Sequence, residues 1–385
     1  MPSNRIPQVL LLVETSRAYG RAILEGIGQY VKEHGPWLLH FEERGQDDPP
    51  PRWLKRWCGD GIISRTRSRA LATTLKQTRL PLVELHGDPA FGMPHVYTND
   101  AAVAELAVAH FLERGLRRMA FFGLDGTWWI RRRGEAFADE VRARGLSCKT
   151  FPMQNRSTLK ERRWLDSDRT KIANWLLSLP QPAGIFCATD RYAALLLDVC
   201  RSEGIAVPEQ LAVLGTNNDS VLCNLSQPPL SSVDQNPHRI GYEAAALLER
   251  RMAGMSAPKT AILIDPVEVA TRHSTEILAI DDADVAQALR LIREQACRGM
   301  RVENIADTLA LSRRTLERRF RTAMNRSIKE EMRRIQIARA KLLLRDRQFP
   351  LLIVARRSGF SSLSYFVKVF LQETGSTPGQ FRRQA

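Results

Sequence analysis

The sequence has few of the features that mark metal sites, membrane segments or hydrolases. Its six cysteines (Cys58, Cys148, Cys187, Cys200, Cys223 and Cys297) lie far apart, with no CxxC pair and no Cys/His cluster. That scatter argues against zinc and fits reduced core thiols in a cytoplasmic protein. The first apolar run, residues 9–13, stops at Glu14. It has the length of a buried strand and is too short for a signal peptide or a spanning helix. No lipid signal and no amphipathic helix with exposed aromatics is present, which removes a membrane-surface role. There is no GxSxG nucleophile elbow and no P-loop, so an enzyme is not expected. A carboxylate pair for glycoside hydrolysis could not be read from linear sequence, and a carbohydrate-acting enzyme stays as an alternative for the first part of the chain. No cofactor and no metal are expected.

Acidic residues are scarce in one region only. Residues 283–385 hold 22 Lys+Arg against 9 Asp+Glu, which leaves 35 basic and 33 acidic of the chain's 57 and 42 for the rest. The net charge of +15 is therefore carried almost wholly by the last quarter. Charge confined to one segment is the footprint of phosphate contact. With 385 residues and 44% hydrophobic content, the chain has room for two or three globular domains.

That basic segment carries a repeated pattern. Val302, Ile305, Ala306 and Leu309 recur at helical spacing, a break follows at Ala310 and Leu311, and Ser312 is a suitable N-cap for a second helix. Leu316 and Phe320 face inward, which leaves Arg313, Arg314, Glu317, Arg318 and Arg321 on the outer face. This is the helix-turn-helix plan. A second copy follows. Leu352, Ile353 and Ala355 start it, Gly359 stands where a helix stop with positive φ is wanted, Ser361 or Ser362 caps the next helix, and Phe366 and Phe370 face inward. Leu316 and Phe366 are equivalent, as are Phe320 and Phe370, an offset of 50 residues. Residues 328–344 read as one bridging helix with Met332, Ile335, Ala338 and Leu342 on its apolar side. Such a helix would hold two reading helices at the separation of adjacent major-groove faces, ~34 Å.

This segment resembles the AraC/XylS-type DNA-binding domain. The resemblance rests on Ile305-Ala306, Ser312, Leu316, Arg319-Phe320, Gly359-Phe360, Ser364-Tyr365-Phe366, Phe370 and the tail Thr374-Gly375-Ser376-Thr377-Pro378 with Phe381-Arg382. It implies double-stranded DNA as a partner. Arg314, Glu317 and Arg318 lie where related proteins reach base edges, and an arginine fork on guanine is worth ~1–3 kcal/mol of discrimination. Each of these arginines has a phosphate contact as its alternative. In the second copy Ser362, Ser364, Tyr365, Val367 and Lys368 are less polar, so readout there should depend more on DNA shape.

Residues 5–277 alternate short apolar runs with helical stretches. Strands are expected at 9–13, 37–41, 61–63, 82–84, 118–122, 184–187 and 211–214, and helices at 21–32, 53–57, 103–114, 137–144, 171–179 and 193–202. The series starts twice, which points to two α/β lobes with parallel sheets and a cleft beyond the carboxyl ends of their strands. The part resembles the sugar-binding domain of LacI-type repressors, and so periplasmic sugar-binding proteins. The matching stretches are Thr98-Asn99-Asp100, Arg133 before Ala136-Phe137, Cys187-Ala188-Thr189-Asp190, Val213-Leu214-Gly215, Ser231-Ser232-Val233 with Gly241, and Arg272-His273-Ser274-Thr275. The amino-terminal helix-turn-helix of that family is not in this sequence. A LacI-type sensor followed by an AraC-type reader is the arrangement of the xylose operon regulators, and residues 14–31, Gly59-Asp60-Gly61 and 267–275 resemble that group. A short acidic linker is expected at 278–283, and the reader at 284–385.

The resemblance implies a regulator, with an activator favoured, of sugar-catabolism genes. A monosaccharide effector, D-xylose or a related pentose, would close the lobes and reset a homodimer on direct or inverted half-sites, with RNA polymerase as a further partner. A regulator that ignores ligand is the alternative. Four residues are candidates for the effector. Arg133 has a fork that can bond two hydroxyls, or it is a solvated helix start. Asp190 can accept from hydroxyls or cap the next helix. Asn217 stands where the family usually has aspartate, which exchanges two acceptors for one donor and one acceptor. Arg17 could close over the ligand or be a surface turn residue. Trp128 and Trp129 could be a platform for a sugar face or core packing.

Overall fold

The computed structural model describes residues 5–384 apart from 46–47, 67, 87, 125–126, 153–165, 257, 259, 277–281, 325 and 346–348. The chain forms two compact units, 1–277 and 278–385.

The first unit begins with a parallel sheet of β1 (Gln8–Leu12), β2 (Leu38–Phe41), β3 (Gly61–Ser64) and β4 (Leu82–Glu84), in the order β2-β1-β3-β4. Helices α1 (Ala18–His34) and α2 (Arg69–Gln77) connect these strands, and β5 (Val96–Thr98) follows. The chain then builds a second lobe from α3 (Asp100–Leu112), β6 (Met119–Phe122), α4 (Trp128–Ala143), β7 (Cys148–Thr150), α5 (Asp166–Leu177), β8 (Ala183–Cys187), α6 (Asp190–Ser202), β9 (Leu211–Thr216), α7 (Ser220–Leu225) and β10 (Ser231–Asp234). Helix α8 (Pro237–Met252) returns to the first lobe, β11 (Ile262–Ile264) pairs with β5, and β12 (Glu268–Ala270) closes the second sheet antiparallel to β10. That sheet runs β12-β10-β9-β8-β6-β7.

Strands β1 and β8 are continuous apolar runs because helices cover both faces of a parallel sheet. Helix α1 lies against α8 at backbone contact: a Cβ at Gly26 would stand 1.9 Å from the His238 carbonyl oxygen, and one at Gly241 2.0 Å from that of Ile23. The chain thus crosses between lobes three times, at 98–100, 234–237 and 264–268. The crossings are tied together. Asn99 donates its backbone N–H to the Ile264 carbonyl at 2.8 Å and its side-chain amide to Asp265 at 2.8 Å, and the Thr98 hydroxyl donates to Gln235 at 2.8 Å.

The second unit is helical: α9 (Ala283–Gln295), α10 (Val302–Thr308), α11 (Arg313–Met324), α12 (Ile328–Arg345), α13 (Leu351–Arg357), α14 (Leu363–Thr374) and α15 (Pro378–Gln384). Two helix-turn-helix pairs, α10–α11 and α13–α14, flank α12. Leu316, Phe320, Phe366 and Phe370 are all fully buried. Both turns are Schellman motifs: Leu311 N–H bonds the Ala306 carbonyl and Phe360 N–H that of Ala355, each at 3.0 Å. The left-handed positions are Ala310 (φ +51°) and Gly359 (φ +83°). They are 49 residues apart, one fewer than the offset of the second helices, because Ser361 is an extra residue in the second turn.

Several boundaries differ from the sequence reading. Helix α4, within which residues 137–144 were expected, begins at Trp128, and its first turns carry tryptophans and arginines that blur the apolar stripe. Residues 52–56 are a 3-10 turn. The strands β5, β7, β10, β11 and β12, of three or four residues each, add to those expected from the sequence. Ala338 is exposed, so the bridging helix lacks the single stripe expected of it, and the Leu342 side chain lies outside the described residues. The apolar face rotates along the helix instead: Ile328, Met332 and Ile335 join the first core, and Ile337, Ala340 and Leu344 the second. Asp282 and Ala283, expected in the linker, start α9, with Asp282 its N-cap; residues 278–281 lie outside the described residues.

Candidate functional site

The carboxyl ends of β1, β3 and β4 in one lobe face α4 and the ends of β8 and β9 in the other. The cleft between them is open to solvent, and its empty space, open solvent included, is about 580 Å3. Arg133, one and a half turns into α4, is only 5% exposed and forms its floor. Its Nε donates to Asp100 at 2.9 Å, one Nη to the Ala188 carbonyl at 2.8 Å and the other to Gln235 at 3.0 Å. These bonds use three of the five guanidinium N–H groups, and the other two have no hydrogen bond among the described residues. Burial raises the pKa of Asp100 while Arg133 pulls it down. Arg133 is therefore a buried group held by all three of its neighbours, and a solvated helix start does not describe it.

Asn217 follows β9 and takes φ +115°, a region that costs a non-glycine residue strain. Its side-chain oxygen accepts from Gln235 at 2.6 Å and it lines the cleft. Arg17, half-buried at the amino end of α1, lines the mouth. Trp128 and Trp129 also line the cleft. The buried indole N–H of Trp129 has no hydrogen-bond partner among the described residues, a cost of ~1–3 kcal/mol that a ligand oxygen would remove. The Arg132 guanidinium sits 4.5 Å from the Tyr97 ring and 5.2 Å from that of Trp128, and donates to the Tyr97 hydroxyl.

Asp190 corrects its expected place. Its carboxyl is 1% exposed and points away from the cleft, accepting from the Ser232 hydroxyl at 2.5 Å and the Asp219 backbone N–H at 2.8 Å. Thr189, not Asp190, caps α6 and reaches the cleft. A carboxyl beneath the strand ends cannot meet a sugar; it clips β10 and the start of α7 to α6. Burial pushes its pKa up to about 7.

The sequence reading missed Glu14 and Arg65, an ion pair across the ends of β1 and β3 with Glu14 buried and Arg65 half-buried, and Tyr19, stacked under Arg65 with its hydroxyl 3.3 Å from Thr98. It also missed Gln235, which touches Arg133, Thr98 and Asn217. Position directly after a parallel strand is the signal that would have found Glu14, Arg65 and Gln235. With aromatic walls, donors from arginine and indole, and charged groups already paired, the cleft suits a neutral polyhydroxylated molecule better than an ion.

In the second unit Arg314, Arg318 and Arg321 stand exposed along α11. Arg313 is paired with Glu303 and Glu317, so both it and Glu317 are held in place. Ser312 caps α11, accepting from Thr315 N–H at 3.1 Å, and Ser362 caps α14, accepting from Tyr365 N–H at 3.2 Å. Ser364, Tyr365 and Lys368 are exposed on α14, where the Tyr365 hydroxyl accepts from Arg333 at 3.3 Å. Arg319 is turned back: it grips Asp282 with two bonds of 2.6 Å.

A XylR N-terminal domain matches residues 8–104, a periplasmic binding protein-like domain 108–275 and a helix-turn-helix domain 305–384. The chain is 33% identical to the xylose operon regulatory protein of Haemophilus influenzae, over 97% of this chain and 98% of that protein. The chain belongs to the xylose operon regulator family. Its identity with the xylose operon regulatory protein of Escherichia coli K12 is 32%, over 97% of this chain and 96% of that one. A solved structure described as the xylose-binding transcription activator XylR matches with a TM-score of 0.76 and 30% identity, over 99% of this chain and 98% of that chain. Members of this family are transcription regulators, and this chain is a DNA-binding regulator rather than an enzyme. No helix among the described residues is long and apolar enough to cross a membrane.

Proposed function

We propose that the chain activates sugar-catabolism genes and that a monosaccharide in the cleft, D-xylose or a related pentose, controls it. The observation that carries this reading is the buried Arg133 fork, with two donors left over among the described residues, beside a Trp129 indole N–H that has no hydrogen-bond partner among them. A pentose hydroxyl array answers both, and the xylose names of relatives matched over nearly the whole chain support that sugar. Arg17 and Asn217 complete the proposed effector contacts, one at the mouth and one on the far lobe. Residues Arg313, Arg314, Glu317, Arg318, Arg321, Ser362, Ser364, Tyr365 and Lys368 form the proposed DNA-facing set, with Arg313 and Glu317 positioning each other. A second copy of the chain and RNA polymerase are the proposed protein partners, and the cytoplasm the proposed location.

The test is a thermal-shift titration of the full chain against D-xylose, L-arabinose, D-ribose and D-glucose. A ligand of the folded state adds ~2.7 kcal/mol at a hundredfold excess over Kd. D-xylose is expected to raise the Tm, and Trp129→Phe, which removes one N–H and keeps the ring, to weaken it several-fold. No shift with any sugar would overturn the reading and leave a regulator of another metabolite or of none.

A further inference from the structure

Two reading helices work as a ruler only if something stops each unit turning about the helix that joins them. Helix α12 alone does not do this. Its first half is embedded in one core and its second half in another, and the two cores are separate clusters. Outside α12, the turn of the second helix-turn-helix comes into direct contact with the first core.

That contact is at Gly359. A Cβ there would stand 2.6 Å from the Ala296 carbonyl oxygen and 2.8 Å from the Cys297 Cα. Ala296 belongs to the first core, at the end of α9. The positive φ of Gly359 strains any side chain, a cost that the first turn bears at Ala310 with φ +51°, and the close approach adds a clash to that strain. Gln336 closes the joint. It sits on α12 between Ile335, which faces the first core, and Ile337, which faces the second. Its amide nitrogen donates to the Ala296 carbonyl at 2.9 Å and to the Gly359 carbonyl at 3.3 Å. Both partners are acceptors, so the amide orientation is fixed by chemistry.

We infer that Gly359, Ala296 and Gln336 form a joint that locks the separation and angle of the two reading helices, making them positioning residues for DNA binding. The prediction is selectivity for spacing. Inserting one base pair between the two major-groove boxes rotates one against the other by ~34° about the duplex. A locked pair cannot follow that rotation, whereas a loosened pair can.

The probe is a duplex selected from a random pool by the full-length protein. Footprinting locates the two boxes of each half-site, and one base pair is then inserted or removed between the boxes of every half-site. Affinities are read by fluorescence anisotropy at fixed salt. Wild type is expected to lose about tenfold or more on either change, the scale of one good base contact. Gln336→Glu, which replaces both donors with acceptors, is expected to weaken binding to the selected duplex and to cut the spacing penalty to about threefold or less. Gln336→Lys restores donors and should restore the penalty. Gly359→Ala should behave like Gln336→Glu; if it does not fold, the two Gln336 variants decide. A Gln336→Glu protein with wild-type fold that keeps the full spacing penalty overturns the inference, as does a wild type with no penalty.

Discussion

Removing the Arg133 guanidinium should destabilise the first unit, and by an amount that depends on pH. Arg133→Met keeps the length of the stem and deletes three hydrogen bonds, to Asp100, Ala188 and Gln235. Gln235 retains Thr98 as a donor to its oxygen, so it loses least. Asp100, 3% exposed, is left with Arg132 at 3.7 Å as its nearest charge. Breaking a buried pair by removing one partner costs ~3–5 kcal/mol, because the other charge stays buried. Asp100 already has a raised pKa, since burial outweighs the pull of Arg133, and without Arg133 it rises further. A carboxyl with a folded pKa above its unfolded value holds its proton to a higher pH in the folded state than in the unfolded one. Stability is then greatest below the unfolded pKa and falls as pH rises through the folded one. The loss in Arg133→Met should therefore be smallest near pH 4 and grow towards pH 8. All seven tryptophans lie within residues 1–277, so tryptophan fluorescence in urea follows this unit alone. The paired variant Asp100→Asn/Arg133→Met should recover most of the loss and flatten the pH dependence. A single variant within ~1 kcal/mol of wild type at pH 8, or a paired variant no better than the single, would refute the reasoning.

Three further outcomes are expected. Asp190, with a folded pKa of about 7, lowers stability as pH rises from its unfolded value near 4 towards 7; Asp190→Asn does not titrate, its oxygen accepting from the Asp219 N–H and its amide nitrogen donating to the Ser232 hydroxyl oxygen, so urea melts should show it gaining on wild type from pH 4 to pH 8. Ala310→Gly relieves a left-handed alanine and should stabilise the second unit by ~0.5–1 kcal/mol, read from loss of helical ellipticity on heating. In anisotropy titrations, Arg314→Ala or Arg318→Ala should cost ~1–3 kcal/mol on the selected operator if it reads a base, and should lower the salt slope by about 1 without loss of specificity if it holds a phosphate.

What was legible in the sequence followed from period and position. Val9 to Val13 and the strands like it are unbroken apolar runs, and Leu316, Phe320, Phe366 and Phe370 recur at helical spacing with an internal repeat, so both units could be read before folding. The faults lie where long-range geometry decides. Asp190 carries the right chemistry one residue after Thr189, and that single step turns its carboxyl under the sheet instead of into the cleft. The stripe of α12 drifted because the helix serves two cores, and a pattern tuned to both matches neither period well. Gln235, at a crossing between lobes, gathers Arg133, Thr98 and Asn217 from positions 102, 137 and 18 residues away, a meeting that no local pattern announces.

The central claim is that a sugar in the cleft controls how the reader binds DNA. Its most direct test is the affinity of the full chain for its selected operator with and without saturating D-xylose, for wild type and for Arg133→Lys. The lysine keeps a charge beside Asp100 but gives up the fork. The account predicts that D-xylose changes the affinity or the footprint of wild type and leaves Arg133→Lys unmoved at the same concentration. Identical binding of wild type with and without each sugar of the panel would contradict it.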